Sequence, residues 1–503
     1  MPAALAWARR GLRQDLPGIK ATPGIGPVVI LAGLAVLPVA LAVTIDGTTY
    51  DTWGAYVWAP VLLALAFPLC RWVAKRTGEP EIAGFLFGTA ALKIVVGAIS
   101  RYYMVDAVYG GGDSRRYNAA GNELAEPFRQ GVFEDLGKIT GTRFIEILTG
   151  VVQAVIGQTV VGSFLVFSAF GFVGLCLLYL AFCEALPQGN RRVYRWLLFL
   201  TPTMWFWPSS IGKEAFILLC VGATAYGFAR MLNGHLGGIA PAAVGVWGAA
   251  VVRPHIALML VLPMAAALPP ALWGRPRDPA SPAGERPTRP VGRLVVPLLA
   301  LAALPVLLDV AETFFGIEGL NLESAQEVRD DVTRRTSQGG SEFTAPDSST
   351  PFGFAAAVGT VVLRPFVWEA RGIQILTATE SLLFAGLLGF VVVTRGAALL
   401  ASFNERWPRY ALTFVLAYAW GFAVVNNFGI LARQRSLMFP FLFVLIAAAW
   451  RKRPEQEPGI TRRRRSQPRR LVSQRPRADL GAAPVNARQH LEHPKRAHLG
   501  GEP

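Results

Sequence analysis

Runs of about twenty apolar residues recur along almost the whole chain, and they limit its fold more than any other sequence feature. A helix needs about 20 apolar residues to cross the hydrocarbon core of a bilayer. About twelve such runs lie near 25–44, 54–73, 82–104, 160–183, 193–208, 214–232, 238–253, 255–273, 292–312, 374–394, 409–426 and 436–450. Hydrophobic residues make up 52% of the 503 residues and charged residues only 16%, too few to cover several soluble domains. We therefore predict an all-α polytopic membrane protein with about 12 transmembrane helices, in a range of roughly 11 to 13.

Lysine and arginine concentrate in every second loop between these runs. The loops of that side hold Arg9, Arg10, Arg13, Lys20, Arg71, Lys75, Arg76, Arg191, Arg192, Arg195, Arg275, Arg277, Arg286, Arg289, Arg293, Arg395, Arg406 and Arg409. Because positive residues are retained on the cytoplasmic side, this pattern predicts an N-in, C-in topology. It divides the chain into a cytoplasmic N-terminal segment (1–24), a transmembrane domain (25–450) and a basic cytoplasmic tail (451–503).

The tail accounts for much of the net charge of +16, since it carries 14 Lys/Arg against 5 Asp/Glu. It lacks apolar periodicity, so we expect it to be disordered. Attraction to anionic lipid at the inner leaflet is the expected role of its charge. We expect no nucleic-acid partner.

The first long outer loop, about 105–158, contains three consecutive glycines followed by Asp113. Glycines allow the backbone to run close to a ligand. Segments 114–130 and 142–156 have helical apolar spacing, so we predict two amphipathic juxtamembrane helices. Asp113 is either a catalytic carboxylate or the N-cap of the helix that follows. The residues directly after it, Arg115, Arg116 and Tyr117, are candidates for substrate binding.

A second candidate element is the tip between the runs 193–208 and 214–232. Its tryptophans are typical of the membrane interface, and a proline and a glycine interrupt the helix. Ser210, Lys213 and Glu214 follow, in a pattern that suits a phosphate or a sugar hydroxyl group. The alternative is an interfacial turn in which Lys213 extends to the headgroups beside Glu214.

Two further tips place cations beside apolar runs. Arg253 and His255 interrupt what is otherwise one continuous apolar stretch, and charge at such depth is usually functional or paired. Arg433 and Arg435 precede the last run on the side where arginine is disfavoured, which indicates anion binding. The second long outer loop, about 312–368, alternates charges in the manner of a solvated helix or lid, and Arg364 within it is a weaker candidate.

One carboxylate near the membrane and several cations at hairpin tips suit transfer from a lipid-linked phosphosugar. The carboxylate would deprotonate an acceptor hydroxyl, and the cations would neutralise the leaving phosphate. A single carboxylate is a poor site for a divalent ion, and the four cysteines lie in or beside apolar runs without metal-ligand spacing. We therefore expect no metal, disulfide or other cofactor, although a divalent metal stays open.

This layout resembles the GT-C superfamily of polyprenyl-phosphate-sugar-dependent glycosyltransferases. The resemblance covers about 82–450 as architecture. Its motifs are Gly111-Gly112-Asp113-Ser114-Arg115-Arg116-Tyr117 and the hairpin tips. It implies that Asp113 is the catalytic base of an inverting transfer on the outer face. The implied donor is an undecaprenyl- or decaprenyl-phosphate sugar, and the acceptor is a cell-envelope glycan, a lipid or a protein. The chain departs from the family in having one acidic residue where two are common, and in two additional spans before the acidic loop.

Three other functional classes are alternatives. A non-enzymatic membrane scaffold predicts no function for the charges of the outer face. A lipid-linked glycan polymerase or ligase would depend less on Asp113 and more on Arg253, Arg433 and Arg435, because its substrates carry pyrophosphate. A membrane transporter would place ionisable residues at mid-membrane in broken helices, whereas here they gather at the outer ends. Abundant Ala, Gly, Pro and Arg with little Lys is associated with GC-rich bacterial genomes, which favours a bacterial cytoplasmic membrane.

Overall fold

The computed structural model describes residues 45, 47–134, 136–267, 304–310, 312–313, 327, 330–334, 336–337, 341–346, 350–372 and 374–451. Within these ranges the regular elements are helices, and the β-pairing is a single bridge between Glu342 and Asn427. The all-α prediction is confirmed for this part of the chain. The predicted first span, the N-terminal segment and nearly all of the basic tail lie outside the described residues.

The helices follow one another in a simple order. They are α1 (Tyr50–Thr77), α2 (Pro80–Tyr103), α3 (Asp113–Arg129), α4 (Gly141–Ile156), α5 (Val160–Ala185), α6 (Arg191–Leu200), α7 (Pro202–Phe206), α8 (Lys213–Leu232), α9 (Ile239–Val252), α10 (Pro254–Val261), α11 (Pro351–Leu363), α12 (Gln374–Ser402), α13 (Arg406–Phe422) and α14 (Phe428–Ala449). Six of them, α1, α2, α5, α8, α12 and α14, are long and apolar enough to cross a membrane. The chain therefore has the character of an integral membrane protein.

The predicted count of twelve spans is not confirmed, because several runs form shorter helices in the described ranges. The apolar helices beginning near 236, 254 and 351 have 10–17 residues each, which is shorter than a full crossing. The run 193–208 is divided into α6 and α7 at Pro202, which occupies the first turn of α7. Of the run 292–312, helix is described at 304–310 and at 312.

The centre of the bundle is formed by α5, α8 and α14. In α14, 89% of the most apolar window is buried, against 11% for α12, so α12 lies at the periphery. Close contact between α5 and α8 depends on glycine: a Cβ at Gly222 would lie 2.4 Å from the carbonyl oxygen of Gly174. Small residues of this kind let helix backbones touch where lipid gives little hydrophobic driving force.

Helix α2 is irregular where it approaches the predicted loop. A π-helical turn spans Leu92–Gly97, and a second one, Met104–Val108, continues from the end of the helix. The chain then turns through Gly110 and Gly111, whose φ angles are 63° and 140°. Such φ values favour glycine, and the turn delivers the chain to the start of α3.

The two helices predicted for this loop are present as α3 and α4, within about two residues of the predicted bounds. They pack directly on each other, because Gly150 leaves room for Leu124. The amide of Gln153 donates a hydrogen bond of 2.7 Å to the side-chain oxygen of Asn118. This pair adds a polar contact between α4 and α3, the helix that begins with Asp113.

Candidate functional site

A cavity of about 750 Å³ opens where several helix ends meet. The end of α2, the start of α3, the α7–α8 tip, the turn after α9 and the first turns of α12 and α14 all contribute to its wall. Its charged lining residues are Arg101, Asp113, Lys213, Glu214, Arg253, Arg371, Glu380 and Arg433. Five cations and three carboxylates give the described lining a net charge of +2.

Asp113 lies at the rim of this cavity, as the first residue of α3. Gly112 precedes it in the N-cap position, and no side chain caps the helix. The N-cap interpretation of Asp113 is therefore wrong, since the aspartate is one residue inside the helix. Its side chain is 66% exposed, and its Oδ2 lies 3.5 Å from Nη1 of Arg433. Asp113 is thus a largely open carboxylate beside a cation.

Tyr117 lies one turn further along α3 and also lines the cavity. Burial, with the Asp113 carboxylate as a second cause, raises the pKa of Tyr117 to about 12. The phenol therefore keeps its proton at neutral pH and serves as a hydrogen-bond donor.

The α7–α8 tip, formed by α7 and the turn 207–212 that joins it to α8, is held by Lys93 of α2. Lys93 is buried, and its ammonium donates to the carbonyl oxygens of Met204 and Pro208 and to the hydroxyl of Ser209 over 2.9–3.2 Å. Gly97 permits this approach, because a Cβ there would lie 2.4 Å from the carbonyl oxygen of Trp205. The tip is therefore held through its own backbone carbonyl oxygens, which accept hydrogen bonds from Lys93.

This fixed tip presents the beginning of α8 to the cavity, as the sequence predicts for Ser210, Lys213 and Glu214. The Lys213 ammonium donates a hydrogen bond of 3.0 Å to the Thr142 hydroxyl at the start of α4. The hydroxyl of Thr142, a neutral partner, therefore orients the Lys213 side chain. Among the described residues no carboxylate lies within ion-pair distance of Lys213.

Glu214 is the centre of a buried polar cluster. Its side chain is 8% exposed, and Oε1 accepts hydrogen bonds from Arg253 Nη2 at 3.0 Å and from the Gln434 amide at 3.1 Å. Arg433 Nε lies 3.3 Å from the same oxygen. Arg253 also donates to Gln434 at 2.6 Å. The cluster joins α8, the turn after α9 and α14 into one unit.

Arg101 is a lining residue that the sequence analysis missed. Only 5% of it is exposed, and its guanidinium carbon lies 5.1 Å and 4.9 Å from the ring centres of Phe206 and Trp207. Within the described residues its Nε and Nη1 have no hydrogen-bond partner. The available signal was the arginine itself, at the end of an apolar run where charge is expensive.

Two further charged lining residues, Arg371 and Glu380, were also missed. They belong to the segment before α12 and to α12 itself. Glu380 accepts hydrogen bonds from the backbone N–H and the hydroxyl of Thr203, at 2.9 Å and 2.6 Å. An acid within an apolar helix is again the signal that points to Glu380.

Segment 341–346 of the predicted second loop lies against the start of α14. The N–H of Phe428 donates to the carbonyl of Ser341 at 2.9 Å, and the ring of Phe343 stacks on that of Phe428. Arg364, the weaker candidate, lies over Phe343 and forms an ion pair of 2.7 Å with Glu369. Hydrogen bonds from Arg364 lower the pKa of Glu369, so this arginine is a structural element beside the cavity.

The structure brings most of the sequence-predicted residues to one cavity. Those in its wall are Asp113, Tyr117, Ser210, Lys213, Glu214, Arg253 and Arg433. Arg115, Arg116, His255 and Arg435 are outside the described lining. Arg115 donates to the carbonyl of Gly110, and Arg116 is 72% exposed and pairs with Glu146 at 3.2 Å. The ring of His255 lies beside that of Phe422.

Arg433 and Arg435 point in different directions on α14, a helix that begins earlier than predicted. Asn427 caps α14 by accepting from the N–H of Ile430 at 3.1 Å, so the helix starts at Phe428 rather than near 436. Two residues correspond to about 200° around a helix. Arg435 accordingly points away from the cavity, is 1% exposed, and donates to Val362 and Ser381.

Comparisons with known proteins add no relative to this description. No protein-family model matches the chain, and no match is found among curated proteins or among solved structures. Among the described residues no group of three or more His, Cys, Asp or Glu side chains is placed to hold a metal ion. The resemblance to the GT-C superfamily therefore stays a prediction.

Proposed function

We propose that this chain is an integral membrane glycosyltransferase that transfers a sugar from a polyprenyl-phosphate donor to an acceptor on the outer face of a bacterial cytoplasmic membrane. The observation that carries the proposal is the placement of Asp113. A largely exposed carboxylate shares one cavity with five cationic side chains. Such a pair of features meets the two needs of glycosyl transfer from a phosphosugar, a base and an anion cradle.

In the proposed reaction Asp113 accepts the proton of an acceptor hydroxyl. The hydroxyl oxygen attacks the anomeric carbon and forms the new glycosidic bond, while the bond from that carbon to the phosphate oxygen breaks. The phosphate leaves with the electron pair, and Lys213, Arg433 and Arg101 offset the charge that develops on it. Tyr117, which keeps its proton, is available to donate a hydrogen bond to a sugar or acceptor oxygen.

The surroundings of the cavity support a donor that stays in the bilayer. Part of the wall comes from Leu376 and Thr377 of the peripheral helix α12, and 71% of Leu376 is exposed. The wall is therefore continuous with apolar surface that a lipid chain contacts. A polyprenyl chain would lie along that surface while its phosphate enters the cationic interior.

The test compares cells that lack this chain after complementation with wild type or with Asp113→Asn at equal membrane expression. The proposal expects that wild type restores an envelope glycan, whereas Asp113→Asn does not and a lipid-linked monosaccharide accumulates. Glu123→Gln is the matched control, because Glu123 is an exposed carboxylate of the same helix outside the cavity wall. Full restoration by Asp113→Asn would reject Asp113 as the base.

The excess of cations favours one second candidate, a lipid-linked glycan polymerase or ligase acting on a pyrophosphate substrate. Five cations against three carboxylates is a lining suited to a diphosphate. In that case the same experiment gives a different lipid. An oligosaccharide on polyprenyl pyrophosphate would accumulate instead of a monosaccharide on polyprenyl phosphate, and Asp113→Asn would retain partial activity.

A further inference from the structure

Arg101 is an energetic anomaly in the cavity wall. It is 5% exposed, and two of its three guanidinium nitrogens, Nε and Nη1, find no hydrogen-bond acceptor among the described residues. A buried charged donor without a partner costs free energy that the fold must supply. Arg435 also has two such nitrogens, Nε and Nη2, but it points away from the cavity, whereas Arg101 lines it.

The carboxylates of the cavity do not fill this need. Glu214 accepts from Arg253 and Gln434, and Asp113 lies within ion-pair distance of Arg433. No carboxylate is within 4.0 Å of the Arg101 guanidinium in the described part of the chain. Arg433 acts on Arg101 as a like charge, and Glu214 acts on it with the opposite sign without contacting it. Arg101, Lys213 and Arg371 are lining cations without a carboxylate within 4.0 Å among the described residues, and Arg101 is the most buried of the three.

The position of Arg101 is nevertheless well defined. Phe206 and Trp207 contact its guanidinium at about cation–π distance, and both belong to the tip that Lys93 fixes. A guanidinium held in this way has lost its rotational freedom before a ligand arrives. Its planar fork of N–H donors matches the oxygens of a phosphoryl group better than an ammonium does.

We propose that Arg101 is the primary binding residue for a phosphoryl group in this cavity, with Lys213 as the second cation. The assignment of that group to the sugar donor rests on the proposed function, but the binding itself does not require turnover. The same chemistry is offered by a lipid phosphate and by free phosphate, and the two sources are separated by experiment.

The test measures thermal unfolding of the full chain in phosphatidylcholine nanodiscs, with a long-chain polyprenyl phosphate or with inorganic phosphate. Wild type is expected to melt at higher temperature as either anion is added. Arg101→Met is expected to melt at or above the wild-type temperature without anion, because it removes an unsatisfied charge. The same variant is expected to need about 10- to 100-fold more anion for half of the shift, the loss of one charged hydrogen bond or more.

Two further variants keep the test decisive if Arg101→Met fails to fold. Arg101→Lys retains the charge without the fork, and is expected to bind more weakly than wild type but more tightly than Arg101→Met. Arg192→Gln removes an exposed arginine outside the cavity wall and is expected to behave as wild type.

Stabilisation at lower concentrations of the polyprenyl phosphate than of inorganic phosphate identifies a lipid ligand, and equal potency of inorganic phosphate identifies a soluble one.

The proposal is overturned if neither anion shifts the wild-type melt, or if Arg101→Met or Arg101→Lys keeps the full shift. A melt of Arg101→Met far below wild type with an unchanged anion response would make Arg101 a clamp on Phe206 and Trp207 only. Failure of the glycosyltransferase proposal is seen separately, in the cellular test of Asp113→Asn, which does not depend on this binding assay.

Discussion

Two helices begin at the cavity in the same way, and each places a carboxylate in its first turn. Gly112 precedes α3 and Gly212 precedes α8, both with extended backbone and without a side-chain cap. Asp113 nevertheless is 66% exposed with one cation at 3.5 Å, whereas Glu214 is 8% exposed and shared by Arg253, Arg433 and Gln434. Both helices follow a glycine, but among the described residues one acid keeps an oxygen without a contact and the other is held by three neighbours.

The difference teaches that a charged residue at a hairpin tip is not by itself a reactive group. Glu214 already has its partners, so protonation chemistry there would break the contacts that hold three elements together. Asp113 has oxygen left for a substrate. The following substitutions test this division, beginning with the largest expected effect.

Asp113→Asn should reduce sugar transfer by about 10²- to 10⁴-fold, the range that a general base contributes. Because Asp113 is exposed and its contact to Arg433 is long, the melting temperature should stay near that of wild type. Transfer is measured with membranes and a radiolabelled lipid-linked donor, and unfolding with purified protein. A large fall in stability would mean that Asp113, like Glu214, stabilises the fold, and would contradict the difference in role between the two acids.

Glu214→Gln should act mainly on stability. It leaves Arg253 and Arg433 without their buried counter-charge, although an acceptor oxygen remains, and breaking a buried ion pair from one side costs about 3–5 kcal/mol. Thermal unfolding in nanodiscs provides the measurement, with Glu123→Gln as the control. If the protein instead unfolds like wild type but no longer transfers sugar, Glu214 takes part in the chemistry.

Gly97→Ala should destabilise the tip that carries Glu214 without touching α3. The added Cβ would lie 2.4 Å from the Trp205 carbonyl oxygen, and overpacking of this kind typically costs about 1–3 kcal/mol. Gly88→Ala in the same helix is the matched control, since no atom lies within 4 Å of the new Cβ. Equal melting temperatures for the two variants would mean that the tip adjusts and is not rigidly held.

Arg116→Ala should have the smallest effect. This arginine is 72% exposed and pairs with Glu146 at 3.2 Å, and ion pairs at the surface contribute about 0–1 kcal/mol. Arg143 still pairs with Glu146 after the substitution. A loss of stability well above 1 kcal/mol in chemical unfolding would show that α3 and α4 depend on this pair.

Much of the architecture could be predicted because apolar length and turn residues act locally. The long apolar runs gave α1, α2, α5, α8, α12 and α14, and the spacing in the first loop gave α3 and α4. The number of spans was harder to predict. Pro202 and Arg253 divide apolar sequence into helices that are short for a membrane crossing, and short helices depend on packing against their neighbours. Sequence hydropathy does not distinguish a lipid-facing helix from a short helix buried among others.

The candidate site was partly predictable for a different reason. Charges that interrupt apolar sequence stand out, which identified Asp113, Lys213, Arg253 and Arg433. Arg101 and Glu380 obey the same rule but lie inside runs that were read as spans. Arg435 was assigned to the site because the cap at Asn427 was not recognised, and the direction of a side chain follows from the start of its helix.

The direction of the Arg101 side chain depends on the π-helical turn at Leu92–Gly97, a dependence that the amino-acid composition does not reveal. A π turn holds an additional residue compared with regular α-helix, and each residue of a helix corresponds to about 100° of rotation. Conversion of this turn to regular α-helix at unchanged length would rotate the rest of α2 by roughly 100° and turn Arg101 away from Phe206 and Trp207, whereas loss of one residue would restore the α-helix and keep that direction. Exchange among apolar residues on the outer side of α2 would leave that direction intact. The direction of Arg101 therefore depends on the π geometry of this turn, and not on which apolar side chains surround it.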